Sequence, residues 1–248
     1  MIKYFRHIRK SLLEKGKVSK YLKYAVGEIL LVVIGILIAL QVNTWNEQRI
    51  MNSQEQEILK GLEVEFKINI NRLEKVLQLH HKSIKSANKL MSYFNTDIND
   101  FPETKFDSLL FHVQNVWTFN PRKGLLNSVI TSGQINLISN IELKNQLASF
   151  EDMINDTEQE HLDISLLGTR FYEIVDQYIN VGKQHQLGYK TFTNDGFKSD
   201  YIRFFKDIRV YNIINNETSW SFDLLREELE IMESIKKIIK LITEELKN

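Results

Sequence analysis

The sequence predicts an all-α protein in which a single N-terminal transmembrane helix is followed by an antiparallel helical bundle with long helices. The 248 residues include only 2 Pro and 10 Gly, too few turn residues for a many-stranded sheet. An uninterrupted apolar run occupies residues 29–40. Elsewhere the apolar residues recur at alternating steps of three and four residues, the period of a helix. No long segment alternates apolar and polar residues as a strand would.

The formal net charge of +0 conceals an uneven distribution. Residues 1–27 contain eight basic residues and one acidic residue, whereas the rest of the chain has 24 basic and 31 acidic residues. A strongly basic leader therefore precedes a mildly acidic body. The chain has 0 Cys, which excludes a disulfide framework, a thiol nucleophile and a metal site built on cysteine.

The apolar run predicts a transmembrane helix over residues 25–46. Between Ala25 and Trp45 the only charged residue is Glu28, and a helix of this length covers about 31 Å, the thickness of a bilayer core. Tyr21 and Tyr24 at one end and Trp45 at the other are typical of membrane interfaces. Two alternatives are a cleaved signal peptide, which lacks the expected small-x-small pair here, and a buried helix of a soluble protein.

The positive-inside rule orients this span. It predicts residues 1–24 as a basic cytoplasmic tail and residues 47–248 as an exported helical-bundle domain. In a bacterium this describes a single-pass inner-membrane protein with its C-terminal domain in the periplasm. We expect the tail to bind anionic lipid, and residues 2–13 have the helical apolar spacing of a segment that lies on a bilayer. Because the basic residues adjoin a span, nucleic-acid binding is not expected.

The predicted span carries a stripe of polar and small residues on one helical face, namely Glu28, Gly35, Ala39 and Asn43. Gly35 and Ala39 form a small-x-x-x-small pair, which lets a second helix approach closely. One interpretation is that this face docks a helix, in a homo-oligomer or with another membrane protein. The alternative is that Glu28 extends to the cytoplasmic headgroups and the rest of the stripe has no partner.

The N-terminal region also carries a resemblance. Residues 20–28 read KYLKYAVGE, residues 29–41 read ILLVVIGILIALQ and residues 43–47 read NTWNE. This opening resembles a bacterial family of single-pass membrane proteins that is catalogued as a domain of unknown function. The similarity is close over about residues 1–50 and looser near Asn127 to Leu147 and in the C-terminal helix. It implies a membrane anchor and a helical exported body, and it supplies no activity and no catalytic residues.

The sequence of the body predicts long helices separated by short breaks. Its first helix, from Glu47 to about Phe94, carries a heptad seam of the coiled-coil type beyond Phe66. Asn140 and Asp200 are expected to cap helices at their N-termini. The predicted helices cover 47–94, 105–119, 122–131, 140–181, a segment from Asp200 to about Tyr211, and 221–246, with loops at 95–104 and 182–199.

Some seam positions carry polar or small residues instead of large apolar ones. His80 takes one slot of the first body helix, and Thr157, His161 and Gly168 take slots of the helix that follows Asn140. Since these positions lie near the middle of their helices, we predict a polar core layer formed by His80, Thr157 and His161. In the final helix the seam is assigned to the large apolar residues Phe222, Leu225, Leu229, Met232, Ile235, Ile239, Ile242 and Leu246.

Motifs for catalysis and metal binding are weak. Glu158 and His161 have the i, i+3 spacing of di-iron bundles, but those sites need a second such pair, and no other His has Glu three residues before it. Nucleotide, esterase and zinc-protease motifs do not occur. We therefore predict no metal and no cofactor, and we assign Trp117 and Trp220 to the core.

Three functions are compatible with this sequence. The favoured hypothesis is a membrane-anchored, non-catalytic interaction or scaffold protein. The alternative is an extracytoplasmic ligand-sensing helical bundle, which would need a membrane partner to carry a signal inward because the sequence shows no second span. The third is an enzyme whose site has no recognisable motif.

Overall fold

The computed structural model describes residues 18–98, 101–115, 117–188 and 196–247, apart from the side chains at positions 18, 20, 21, 103 and 157–165. Over these residues the structure is helical and contains no strand, which confirms the all-α prediction. We number its helices in chain order: α1 Val18–Met91, α2 Glu103–Gln114, α3 Gly124–Thr131, α4 Ile141–Val175, α5 Val181–Gly188, α6 Tyr201–Phe204 and α7 Ile208–Glu245, with a 3-10 helix at Gln134–Leu137.

The chain divides into two compact units, Met1–Gln56 and Glu57–Asn248. In the first unit the described residues all belong to α1. The large side chains of the apolar run are all exposed: the least exposed is Ile34, at 45%, and Leu31 reaches 65%. No residue in the most hydrophobic part of this helix is buried. This helix is long and apolar enough to cross a membrane. Its exposure is not the pattern of a core helix.

The second unit is a bundle in which α7 runs antiparallel to both α1 and α4. Near the middle of α1, Glu63 accepts a hydrogen bond at 3.2 Å from Thr243, which lies near the end of α7. Just after the end of α1, the Phe94 ring lies 5.3 Å from the ring of Tyr211, which lies near the start of α7. Along α4 and α7, Asn140 donates to Glu245 at 2.7 Å. The predicted antiparallel bundle with long helices is therefore confirmed.

Two hydrophobic clusters form the core of this unit. The first cluster takes α1 from Ile58 to Leu77, α4 from Leu143 to Ile154 and α7 from Ile231 to Ile242, together with residues of α3. The second cluster joins the C-terminal part of α1 to α2, to the end of α4 and to the start of α7, and it is rich in aromatic rings. Phe106 and Phe204, for example, meet edge to face at 4.8 Å.

The helix starts follow local capping chemistry. Asn140 accepts a hydrogen bond from the backbone N–H of Leu143 at the start of α4, and Asp200 accepts one from Arg203 at the start of α6, as predicted. Helix α3 has no cap of its own. Instead the carboxylate of Glu65 on α1 accepts bonds from the N–H groups of Leu125 and Leu126, at 2.8 and 3.0 Å.

Several predicted boundaries are wrong. A helix, α5, occupies part of the predicted loop at 182–199, because Gln184 is 1% exposed and donates to Asp107 of α2. The helix predicted from Asp200 to Tyr211 is divided, because Asp207 caps α7 through the N–H of Arg209, and α7 then continues to Glu245 without a break. Helix α2 ends at Gln114 rather than near Phe119.

The earlier end of α2 changes the position of a tryptophan. The residue after the helix, Asn115, has an extended backbone conformation, and Trp117 is 41% exposed. The prediction that Trp117 belongs to the core is therefore wrong. Trp220 on α7 is half-buried.

Candidate functional site

A layer of buried polar residues lies between the two hydrophobic clusters. On α1 the first cluster ends at Leu77 and the second begins at Ala87. On α7, which runs in the opposite direction, the second cluster ends at Ile214 and the first begins at Ile231. The buried residues between these limits are mostly polar, and we call them the polar layer: His80, Ser83 and Ser86 on α1, and Glu217, Thr218, Ser221 and Glu228 on α7. Such residues cost stability when they are buried, so their placement needs an explanation.

His80 and Glu228 form the closest ionisable pair of the layer. The Nε2 atom of His80 lies 3.3 Å from Oε2 of Glu228, and the two side chains are only 1% and 4% exposed. The distance is that of an ion pair, but neither of these two atoms makes a hydrogen bond of good geometry to the described residues. Removing one member of a buried pair leaves the other uncompensated.

Glu217 is the second buried carboxylate of the layer. Its side chain is 3% exposed, and its Oε1 atom has no hydrogen-bond partner among the described residues. Burial raises the pKa of Glu217 to about 7, because the charged form loses its hydration. Glu217 therefore exchanges its proton near neutral pH.

The hydroxyl groups of the layer on α7 are satisfied within their own helix. Thr218 donates to the carbonyl of Ile214 at 2.6 Å, and Ser221 donates to that of Glu217 at 2.8 Å. These back-bonds remove the donors from the core. The ionisable side chains of the layer are those of His80, Glu217 and Glu228.

The seam predicted for the final helix does not include the α7 half of this layer. The predicted seam placed Phe222 and Leu229 inside, but they are 52% and 47% exposed. The buried seam instead lies beside them and keeps a strict heptad spacing, at Val210, Ile214, Glu217, Ser221, Leu224, Glu228, Ile231, Ile235, Ile238 and Ile242. This unbroken spacing is the signal that could have identified Glu217 and Glu228.

The residues predicted for the layer have different outcomes. His80 is buried in it. The backbone at Thr157 and His161 is part of α4, but their side chains, like that of Glu158, lie outside the described residues. Within the described part of the chain, no group of three or more His, Asp or Glu side chains is arranged to hold a metal ion.

The face predicted for helix docking lies in the first unit. A Cβ atom built on Gly35 would meet no atom of the described residues within 4 Å, so these residues do not require glycine there. Asn43 donates to Glu47 one turn later, at 2.8 Å. Glu28 is half-buried, and Ala39 is exposed. The face is thus open at its two small residues, whereas Asn43 is bonded within its own helix.

Comparison with known proteins identifies one family model that matches part of the chain. The model of a family of unknown function, DUF6090, matches residues 28–152, about half of the chain. The match begins at Glu28 and covers the apolar run, the rest of α1, α2, α3 and the first part of α4. No curated protein and no solved structure matches the chain.

Proposed function

Since the chain belongs to DUF6090, a family of unknown function, we propose a role from its own residues: it is a membrane-anchored, non-catalytic interaction or scaffold protein. In this proposal residues 25–46 cross a bacterial inner membrane once, residues 1–24 bind anionic lipid in the cytoplasm, and the helical body is periplasmic. The partner is a second copy of the chain or another membrane protein.

The observation that supports this proposal most strongly is the exposure of the apolar helix. Its large apolar side chains are not covered by any part of the chain that the structure describes, whereas the body contains two hydrophobic clusters. An apolar surface of this length is stable in a lipid bilayer and not in water. In this proposal the exposed apolar helix therefore serves as the membrane anchor.

The small residues of the span supply the contact surface. In lipid, helices associate through close backbone packing, and small residues permit it. Gly35 and Ala39 lie one turn apart on one face, and a side chain at Gly35 would not disturb the chain itself. A bulky residue there should therefore prevent docking and leave the protein folded and inserted.

The experiment compares the full chain with Gly35→Leu, and with Leu37→Ala as a control on the opposite face. Each protein is isolated from membranes in mild detergent, and its mass and co-purifying membrane proteins are measured. We expect all three to resist extraction by alkaline carbonate, and only Gly35→Leu to lose its partner. A monomeric wild-type chain without any membrane partner would contradict the proposal.

The polar layer favours a second candidate, an extracytoplasmic ligand-sensing bundle that acts through a membrane partner. A bundle whose middle holds His80, Glu217 and Glu228 loses apolar packing there, so its helices shift at lower cost than in a fully apolar core. Hydrogen exchange at the amides of 80–87 and 214–228 tests this role. Exchange as slow there as in the two clusters would contradict it.

A further inference from the structure

A basic groove lies between the C-terminal part of α1 and α2. Its volume is about 760 Å³ and it is open to solvent. Lys82, Lys85 and Lys89 line one side, and His112 and Ser108 line the other, with Leu109 beside them. The three lysines follow each other at steps of three and four residues, which places them on one face of α1.

The groove has no acidic lining residue in the part of the chain that the structure describes. Neither Lys82 nor Lys85 belongs to an ion pair with another described residue. Lys89 lies 5.0 Å from the ring centre of Tyr93, a contact that leaves its charge in place. Three like charges in one concave surface raise the local concentration of anions.

His112 on α2 is also affected by the positive charge of the groove. Its pKa is lowered, first by burial and then by the positive charge of Lys82. An imidazole that stays neutral beside lysines can donate or accept a hydrogen bond. Anion binding would offset the Lys82 charge and raise the pKa of His112.

We propose that this groove binds a small phosphate-bearing molecule. Lysine ammonium groups bind phosphate as point charges, and the hydroxyl group of Ser108 and the imidazole of His112 can donate hydrogen bonds to its oxygens. The groove is larger than one phosphate group, and Leu109 gives it an apolar wall, so the ligand carries an organic part. A soluble phosphate ester and a phospholipid headgroup share this chemistry.

This inference goes beyond the interaction role and supplies a ligand class for the sensing candidate. It does not depend on the docking of the span, because every lining residue belongs to the second unit. A failure of the span experiment would therefore leave the groove unaffected, and the reverse also holds.

The test uses the full chain in phosphatidylcholine nanodiscs, titrated calorimetrically with inorganic pyrophosphate at low ionic strength. We expect saturable binding that weakens as salt is added. The double variant Lys82→Gln/Lys85→Gln should bind at least tenfold more weakly. The control Lys60→Gln/Lys75→Gln removes the same charge from exposed positions of α1 outside the groove, and should stay within twofold of wild type.

A second arm identifies the source of the phosphate. In nanodiscs that contain phosphatidic acid, a lipid ligand should reduce the pyrophosphate affinity of the wild-type chain, and the reduction should vanish in the double variant. A soluble ligand predicts no reduction. NMR titration of His112 gives an independent readout, since pyrophosphate should raise its pKa. Absence of saturable binding of either probe, or an equal loss in the control variant, would overturn the proposal.

Discussion

The Nε2 atom of His80 lies 3.3 Å from Oε2 of Glu228, and both side chains are buried where the two hydrophobic clusters of the bundle separate. The contact joins α1 to α7 across a difference of almost 150 positions in the chain. His80 and Glu228 each occupy a heptad position that an apolar residue would normally fill. The bundle therefore keeps a polar contact where packing alone would favour leucine.

Breaking this pair should destabilise the protein more than removing it altogether. We expect His80→Leu to lower the free energy of unfolding by about 3 kcal/mol, because Glu228 is left buried without its partner. The double variant His80→Leu/Glu228→Leu should recover most of this loss, since two apolar side chains then pack together. Urea unfolding of the full chain in detergent, followed by circular dichroism, measures both.

His81→Leu is the matched control for this pair, because it changes the same residue type at the next, exposed position of α1. Its stability should stay within about 0.5 kcal/mol of wild type. A double variant as unstable as His80→Leu, or equal effects at positions 80 and 81, would show that the contact with Glu228 does not matter.

Glu217 should make stability depend on pH in a specific window. Burial raises its pKa from the ordinary 4.5 to about 7, so between these values the folded state holds a proton that the unfolded state has released. Stability due to this group therefore falls as pH rises from 4.5 to 7. The total loss is on the order of 3 kcal/mol.

The variant Glu217→Gln resembles the protonated form and removes this dependence. At pH 8 it should be more stable than wild type, whereas near pH 4.5 the two should be similar. Glu230→Gln, at an exposed position of α7, controls for the change of charge. Urea midpoints measured across this range test the prediction, and a constant difference between wild type and Glu217→Gln would contradict it.

Glu65 should be required for the start of α3. Its carboxylate accepts hydrogen bonds from the N–H groups of Leu125 and Leu126, and the side chain of Lys123 at the N-cap position does not cap the helix. We expect Glu65→Ala to cost about 2 kcal/mol, because two helix-terminal donors lose a charged acceptor.

The readout for Glu65 is hydrogen exchange at the amides of Leu125 and Leu126, together with overall stability. Glu65→Ala should accelerate exchange at both amides, while Glu74→Ala, an exposed change on the same helix, should not. Unchanged protection in Glu65→Ala would mean that α3 is held by its packing alone.

The long helices could be predicted from the sequence because their apolar seams are regular. The seam of α1 buries Phe66, Leu73 and Leu77, and it continues through His80 as expected. The caps at Asn140 and Asp200 could also be predicted, since each is a contact within a few residues of chain. Local chemistry and periodicity determine these features.

The features that could not be predicted depend on distant contacts. Helix α5 is fixed by the bond from Gln184 to Asp107, and the start of α3 by Glu65, and neither pairing has a local signature. The predicted register of α7 is wrong, because Phe222 and Leu229 are larger and more apolar than Ser221 and Glu228. A seam drawn through the most hydrophobic residues therefore differs from the one that heptad spacing defines, and it leaves out Glu217, Ser221 and Glu228 of the polar layer.

The most direct test of the anchored interaction role is a cysteine scan of the span in native membranes. The chain contains 0 Cys, so single cysteines at Gly35, Ala39, Leu30 and Leu37 give unambiguous cross-links. The first two positions share the proposed docking face, and the other two lie opposite. The account predicts cross-linked species at Gly35 and Ala39 and almost none at Leu30 and Leu37. Equal cross-linking at all four positions would contradict it, and so would the absence of cross-links at all four positions in a chain that also co-purifies with no membrane protein.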